Sequence, residues 1–162
     1  MEFIAKIKKN PLARALRVGK MTLAGLETTL KLFLNPGKLR KEHPLYRMLS
    51  LTPEELDSRV RRVTENLSGV ISKETEFSVV DGFSQVGSGS APAETLPSKL
   101  LSIKPFAITS EETAKRFRFH NPPIFARIHK DRVLLDFRTI QPDEDGFIAE
   151  AIIKIFGKKA GV

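Results

Sequence analysis

The apolar residues of this chain change their spacing once, and that change constrains the fold more than any other feature. Leu12, Leu16, Leu23, Leu26, Leu30 and Phe33 recur three, four or seven apart, with Gly19 as the one interruption. That period predicts an amphipathic helix from Leu12 to Leu34, about 35 Å long at 1.5 Å per residue. Pro11 suits its first turn and Asn35-Pro36-Gly37 stops it. Gly19 weakens its middle by about 1 kcal/mol relative to Ala and predicts a bend or a close contact there. A second helix opens at the capping box Thr52-Pro53-Glu54-Glu55, carries Leu56, Val60, Val63 and Leu67 on one stripe, and ends near Gly69. Beyond it the period shortens. Phe77 to Val80 and Leu100 to Lys104 read as strands, separated by a Gly/Ser-rich loop from Ser84 to Pro92. Thr109-Ser110-Glu111-Glu112 opens a third helix, which Asn121-Pro122-Pro123 ends. Ile124 to His129 and Arg132 to Ile140 alternate apolar and polar across Lys130-Asp131, as a hairpin does. A last helix follows Pro142, with Ile148, Ile152 and Ile155 facing inward. The order α-α-β-β-α-β-β-α predicts an α+β fold. About four mostly antiparallel strands are covered on one face by helices, with a long helix preceding them.

At 162 residues, 41% of them apolar, the chain is long enough for a core. It has no Cys, which excludes disulfides, thiolate metal sites and Cys nucleophiles. No run of apolar residues is long enough to span a membrane, and MEFIAKIKKN lacks the apolar stretch of a secretory signal. The formal charge of +8 is unevenly placed. Residues 1–47 hold eleven Lys and Arg against three acidic residues, and residues 48–162 hold sixteen of each. This predicts a basic linking helix segment over 1–47 and an α+β domain over 48–162. It also points to an anionic partner, with a solvated helix face as the plainer reading.

Arg14 and Arg17 lie three apart on one predicted helix face. Two neighbouring guanidiniums repel unless an anion bridges them, and their forked donors fit phosphate or sulfate oxygens. Lys9 and Lys20 add to the field. In the loop, Gln85, Ser88 and Ser90 accompany glycines whose backbone N–H groups can cradle an anion. The loop lacks the Gly-Lys-Ser/Thr of a P-loop and opens no helix, so a turn needing Gly geometry is the other reading. His43, His120 and His129 share no metal spacing, no metal site is expected, and His43 and His120 read as surface residues. Asp143, Glu144 and Asp145 suit the dipole of the last helix. With no Trp, one Tyr, and eleven Phe mostly at apolar periodic positions, aromatic stacking on RNA is not expected. Nucleic acid would be met through phosphate charge.

The stretch PLARALRVGKMTLAGLETTLKLFL, Pro11 to Leu34, resembles a signature of the bacterial L-seryl-tRNA(Sec) selenium transferase family, the selenocysteine synthases. SQVGSGSAPAETLPS, NPPIFARIHKDRVLLDFRTI and QPDED agree with that family in order, so the likeness covers nearly the whole chain. It implies the small C-terminal domain of a fold-type I pyridoxal-phosphate enzyme. That enzyme converts seryl-tRNA(Sec) to selenocysteinyl-tRNA(Sec) with selenophosphate, as a cytoplasmic homo-oligomer. It implies that Arg14 and Arg17 bind the anionic selenium donor. It also implies that the cofactor lysine lies upstream, in a large domain, so that this part alone binds no pyridoxal phosphate and is inactive. Lys20, within Gly-Lys-Met-Thr, does not match that lysine. Two departures from the family pattern stand out: Gly19 where an acidic residue is common, and Ser88 where a third glycine is common. The family's tRNA recognition is attributed mainly to an N-terminal domain. Two other readings stand beside this one. The chain is then a free-standing basic module that binds tRNA or another polyanion, or residues 1–34 serve as an interdomain or subunit surface.

Overall fold

A computed structural model describes residues 2–67, 69, 71, 75–86 and 95–157. The chain divides into two compact units, Met1–Arg47 and Met48–Val162.

The first unit is helical throughout. It contains α1 (Glu2–Lys9), α2 (Leu12–Ala15), α3 (Lys20–Leu32), α4 (Pro36–Glu42) and the start of α5 (Pro44–Ser50). The single helix expected over Leu12 to Leu34 is therefore broken. The chain leaves helical geometry at Leu16 and re-enters at Lys20, with Gly19 extended at φ −70° and ψ 162°. Val18 and Gly19 are both poor helix formers, and two together cost enough to open the turn. Asn35-Pro36-Gly37 ends α3 as expected, but it also starts α4. The Asn35 side chain accepts the Lys38 N–H and Pro36 occupies the first turn. His43 starts α5 similarly, its Nδ1 accepting the Tyr46 N–H at 3.2 Å.

In the second unit, α6 (Pro53–Leu67) precedes β1 (Thr75–Gln85) and β2 (Thr95–Pro105). Then come α7 (Ser110–Arg118), β3 (Arg127–His129), β4 (Arg132–Asp136), a 3₁₀ turn over Pro142–Glu144, and α8 (Asp145–Phe156). The Thr52 capping box forms in both directions, Thr52 N–H to Glu55 and Glu55 N–H to Thr52. At α7 the Thr109 hydroxyl accepts the Glu112 N–H, while the Glu112 carboxylate turns to Arg116. A second reciprocal box, between Gln141 and Glu144, introduces the 3₁₀ turn before α8.

The four strands lie in the order β1-β2-β4-β3, every pair antiparallel. β1 and β2 pair over eleven residues, from Thr75↔Pro105 to Gln85↔Thr95, so Ser84 and Gln85 belong to a strand and not to the loop. Lys130 and Asp131 both take left-handed backbone angles, as a two-residue hairpin turn requires. Helices cover one face. Leu56, Val60, Val63 and Leu67 of α6, with Phe117 of α7 and Ile148, Ile152 and Phe156 of α8, pack on Leu101, Ile103, Val133 and Leu135 of the sheet. The other face is mixed: Ser78, Ser84, Ser98, Ser102, Arg132 and Asp136 share it with Val80, Leu100 and Leu134.

The phenylalanines depart most from expectation. Phe117, Phe137 and Phe156 are buried and Phe77 half-buried, but Phe3, Phe33, Phe83, Phe106, Phe119, Phe125 and Phe147 are exposed. The core is one layer between a short sheet and three helices, and Phe77, Phe117, Phe137 and Phe156 are the rings that reach it.

Candidate functional site

The Arg pair rests on a short turn. Asn10 accepts the Leu12 N–H at 2.9 Å and Pro11 presets the backbone, which begins α2. Arg14 lies in its last turn, and Arg17 lies just past its end, where its N–H reaches the Arg14 carbonyl at 3.4 Å. Both side chains are exposed and neither has a hydrogen bond or ion pair to any described residue. No carboxylate occurs in the sequence between Glu2 and Glu27, so nothing nearby in the chain neutralises Arg14, Arg17 and Lys20. α3 begins at Gly19 without a side-chain cap, unlike α4, α6 and α7. The candidates of the Gly/Ser loop stand elsewhere. Gln85 is the exposed last residue of β1, opposite Thr95, and Ser88 and Ser90 lie outside the described residues.

The same unit carries an open apolar face. Leu23, Leu26 and Leu30 are each more than half exposed, and Leu34 is 84% exposed. Among the described residues of this unit only Leu39 is buried. The amphipathic stripe that the period predicted is present, but it has no cover within its own unit.

In the second unit, three charged residues that periodicity missed hold the domain together. Asp136 accepts the hydroxyls of Ser84 at 2.6 Å and Ser98 at 2.7 Å, and the Arg138 N–H at 3.1 Å, joining β1, β2 and β4. Arg138 is buried and donates to the carbonyls of Met48, Leu51 and Pro97, while its Nε has no partner. Burial holds its pKa below the usual arginine value, against the pull of Asp136. Arg59 on α6 donates to Asp145 and to the carbonyls of Phe137, Ile140 and Gln141. Asp145 thus faces a guanidinium and does more than complement a helix dipole. Their signal was a charged residue at a regular position among apolar ones. His120 is likewise not a surface residue: it is buried, with its Nδ1–H donating to the Pro122 carbonyl at 3.2 Å. Arg59, Asp136 and Asp145 are thus held by structural partners within the domain.

No cluster of three or more His, Asp or Glu among the described residues is placed to hold a metal. Lys20 stands exposed at the first position of α3, and no described cleft sets a lysine beside a phosphate cradle. The described residues do not make a pyridoxal-phosphate site, and no step is derived through that cofactor. Among the described residues no helix is long and apolar enough to cross a membrane.

A family model for L-seryl-tRNA selenium transferase matches residues 1–141. The L-seryl-tRNA(Sec) selenium transferase of Nitratidesulfovibrio vulgaris is 38% identical over 156 residues, 96% of this chain and 33% of that protein. Those of Geobacter metallireducens and Maridesulfovibrio salexigens are also 38% identical, over 93% and 95% of this chain and 33% of each relative. The chain spans about a third of the length of the curated relatives it matches. With most of its length matched by that family's model, the chain belongs to the L-seryl-tRNA selenium transferase family.

Proposed function

We propose that this chain is the C-terminal part of a selenium transferase that converts seryl-tRNA(Sec) to selenocysteinyl-tRNA(Sec) with selenophosphate. The observation that carries the reading is the family match combined with an unpaired Arg14 and Arg17 in a carboxylate-free stretch. In this proposal the two guanidiniums bind the anionic selenium donor and orient it by forked hydrogen bonds. Gln85, Ser88 and Ser90 are secondary anion-binding candidates. Residues 1–47 are a basic linking segment whose apolar face packs on the rest of the enzyme, and 48–162 are the C-terminal domain. Pyridoxal phosphate is the cofactor that this reading calls for. It is held by the part of the enzyme that this chain does not span, so the chain alone is inactive. The enzyme works in the cytoplasm as a homo-oligomer.

A chimera tests this. The matched third of the Nitratidesulfovibrio vulgaris relative is replaced by this chain, and selenium transfer to seryl-tRNA(Sec) is measured. The chimera is expected to be active, and Arg14→Gln or Arg17→Gln to raise the KM for the selenium donor about 10- to 100-fold, the worth of one charge-assisted hydrogen bond. A chimera that is soluble and holds its cofactor but transfers no selenium counts against the reading. Unchanged donor KM in both variants removes the role of the Arg pair.

A further inference from the structure

The unit whose formal charge sums to zero is not evenly charged. Residues 115–132 hold six Lys and Arg against one acidic residue, Asp131. The fold places five of them at the end of α7, in the edge strand β3 and in its turn, while Arg132 begins β4 and pairs with Glu76 of β1. Lys115, Arg118 and Lys130 have no ion pair among the described residues, and Arg127 comes only within 3.9 Å of Asp136. The two most exposed aromatic rings of the unit stand in the same stretch, Phe119 at 82% and Phe125 at 80%.

Two shallow clefts flank the end of α7. One, of about 200 Å³, is lined by Arg118, Phe125 and Ile128. The other, of about 270 Å³, is lined by Arg116, Phe119, His120 and Lys154. Each joins one exposed ring to at least one guanidinium. Arg116 is shared with Glu112 at 2.9 Å, and Lys154 has no ion pair among the described residues. His120 is 7% exposed, its Nδ1 is engaged by Pro122, and its Nε2 has no hydrogen-bond partner among the described residues.

We infer that this surface binds single-stranded RNA, with bases stacked on Phe119 and Phe125 and phosphates held by Arg118, Arg127 and Lys130. Exposed rings interleaved with cations are the arrangement that single strands use, because every base offers a stacking face while the backbone needs only charge. An acidic protein surface would satisfy the cations and leave both rings in water. The inference rests on the proposed function, in which the substrate is an aminoacylated tRNA with a single-stranded acceptor end.

The test is fluorescence anisotropy of the 162-residue chain. The probes are a labelled single-stranded RNA of about ten nucleotides and a duplex of equal phosphate count. Phe119→Ala and Phe125→Ala are each expected to weaken single-strand binding about 10-fold, with duplex binding changed less than about two-fold. Phe119→Leu and Phe125→Leu keep the apolar bulk and are expected to lose the same affinity, which separates stacking from packing. Arg118→Gln with Lys130→Gln is expected to lower the salt slope by about 1.4. Single-strand binding that ignores both rings, a preference for duplex, or binding of an acidic peptide with none of RNA overturns the inference. Such a failure leaves selenium transfer by the chimera standing. An inactive chimera with ring-dependent RNA binding would sink only the proposed function.

Discussion

Arg59 and Asp145 lie 86 positions apart, and no period or local motif links them. The sequence placed Asp145 correctly in the first turn of the last helix. Its partner was invisible because the contact exists only once α6 and α8 pack on the same face. Arg59 is buried, its Nε 3.1 Å from the Asp145 carboxylate, and its guanidinium lies 5.5 Å from the Phe137 ring centroid. Replacing it strands a carboxylate and three carbonyls together. Arg59→Met is expected to cost about 3–5 kcal/mol in urea unfolding, well beyond the loss of a surface ion pair. A loss below about 1 kcal/mol would mean that the pair is no more than surface electrostatics.

Elements with a local chemical signature were legible. The Thr52 and Thr109 caps, the α6 stripe and the Lys130-Asp131 hairpin all stand where spacing and turn chemistry put them. α4 and α5 were missed because seven residues are too few to show a period. β1 and β2 read as short because Ser78, Asp81, Gly82, Ser84, Ser98 and Ser102 interrupt their apolar runs. Gly82 is the one glycine of the two strands, and it has a close neighbour. A Cβ on Gly82 would stand 2.5 Å from Leu100 Cδ1 and 2.8 Å from its Cγ, and Leu100 is buried. Gly82→Ala is therefore expected to destabilise the sheet by about 1–3 kcal/mol, measured as a lower denaturation midpoint. The geometry of the Arg pair was not legible. Its spacing was read on a continuous helix, whereas Val18 and Gly19 break that helix between α2 and α3.

At the scale of the molecule the two units differ in kind. Met48–Val162 closes a core between a four-stranded sheet and three helices. Met1–Arg47 leaves its apolar stripe open among its described residues, and the relatives that the whole chain resembles are about three times the chain's length. A face that loses water only on joining the rest of an enzyme has little to hold its amides in the chain alone. The sequence could place this stripe and its charge, but not its cover, which does not lie within Met1–Arg47 among the described residues. Hydrogen exchange of the monomeric chain, compared with the selenium transferase chimera, tests this account most directly. It predicts strong protection in α6, β2 and α8 in both samples, and in α3 only in the chimera. Protection of α3 in the isolated monomer equal to that of α6 would contradict it.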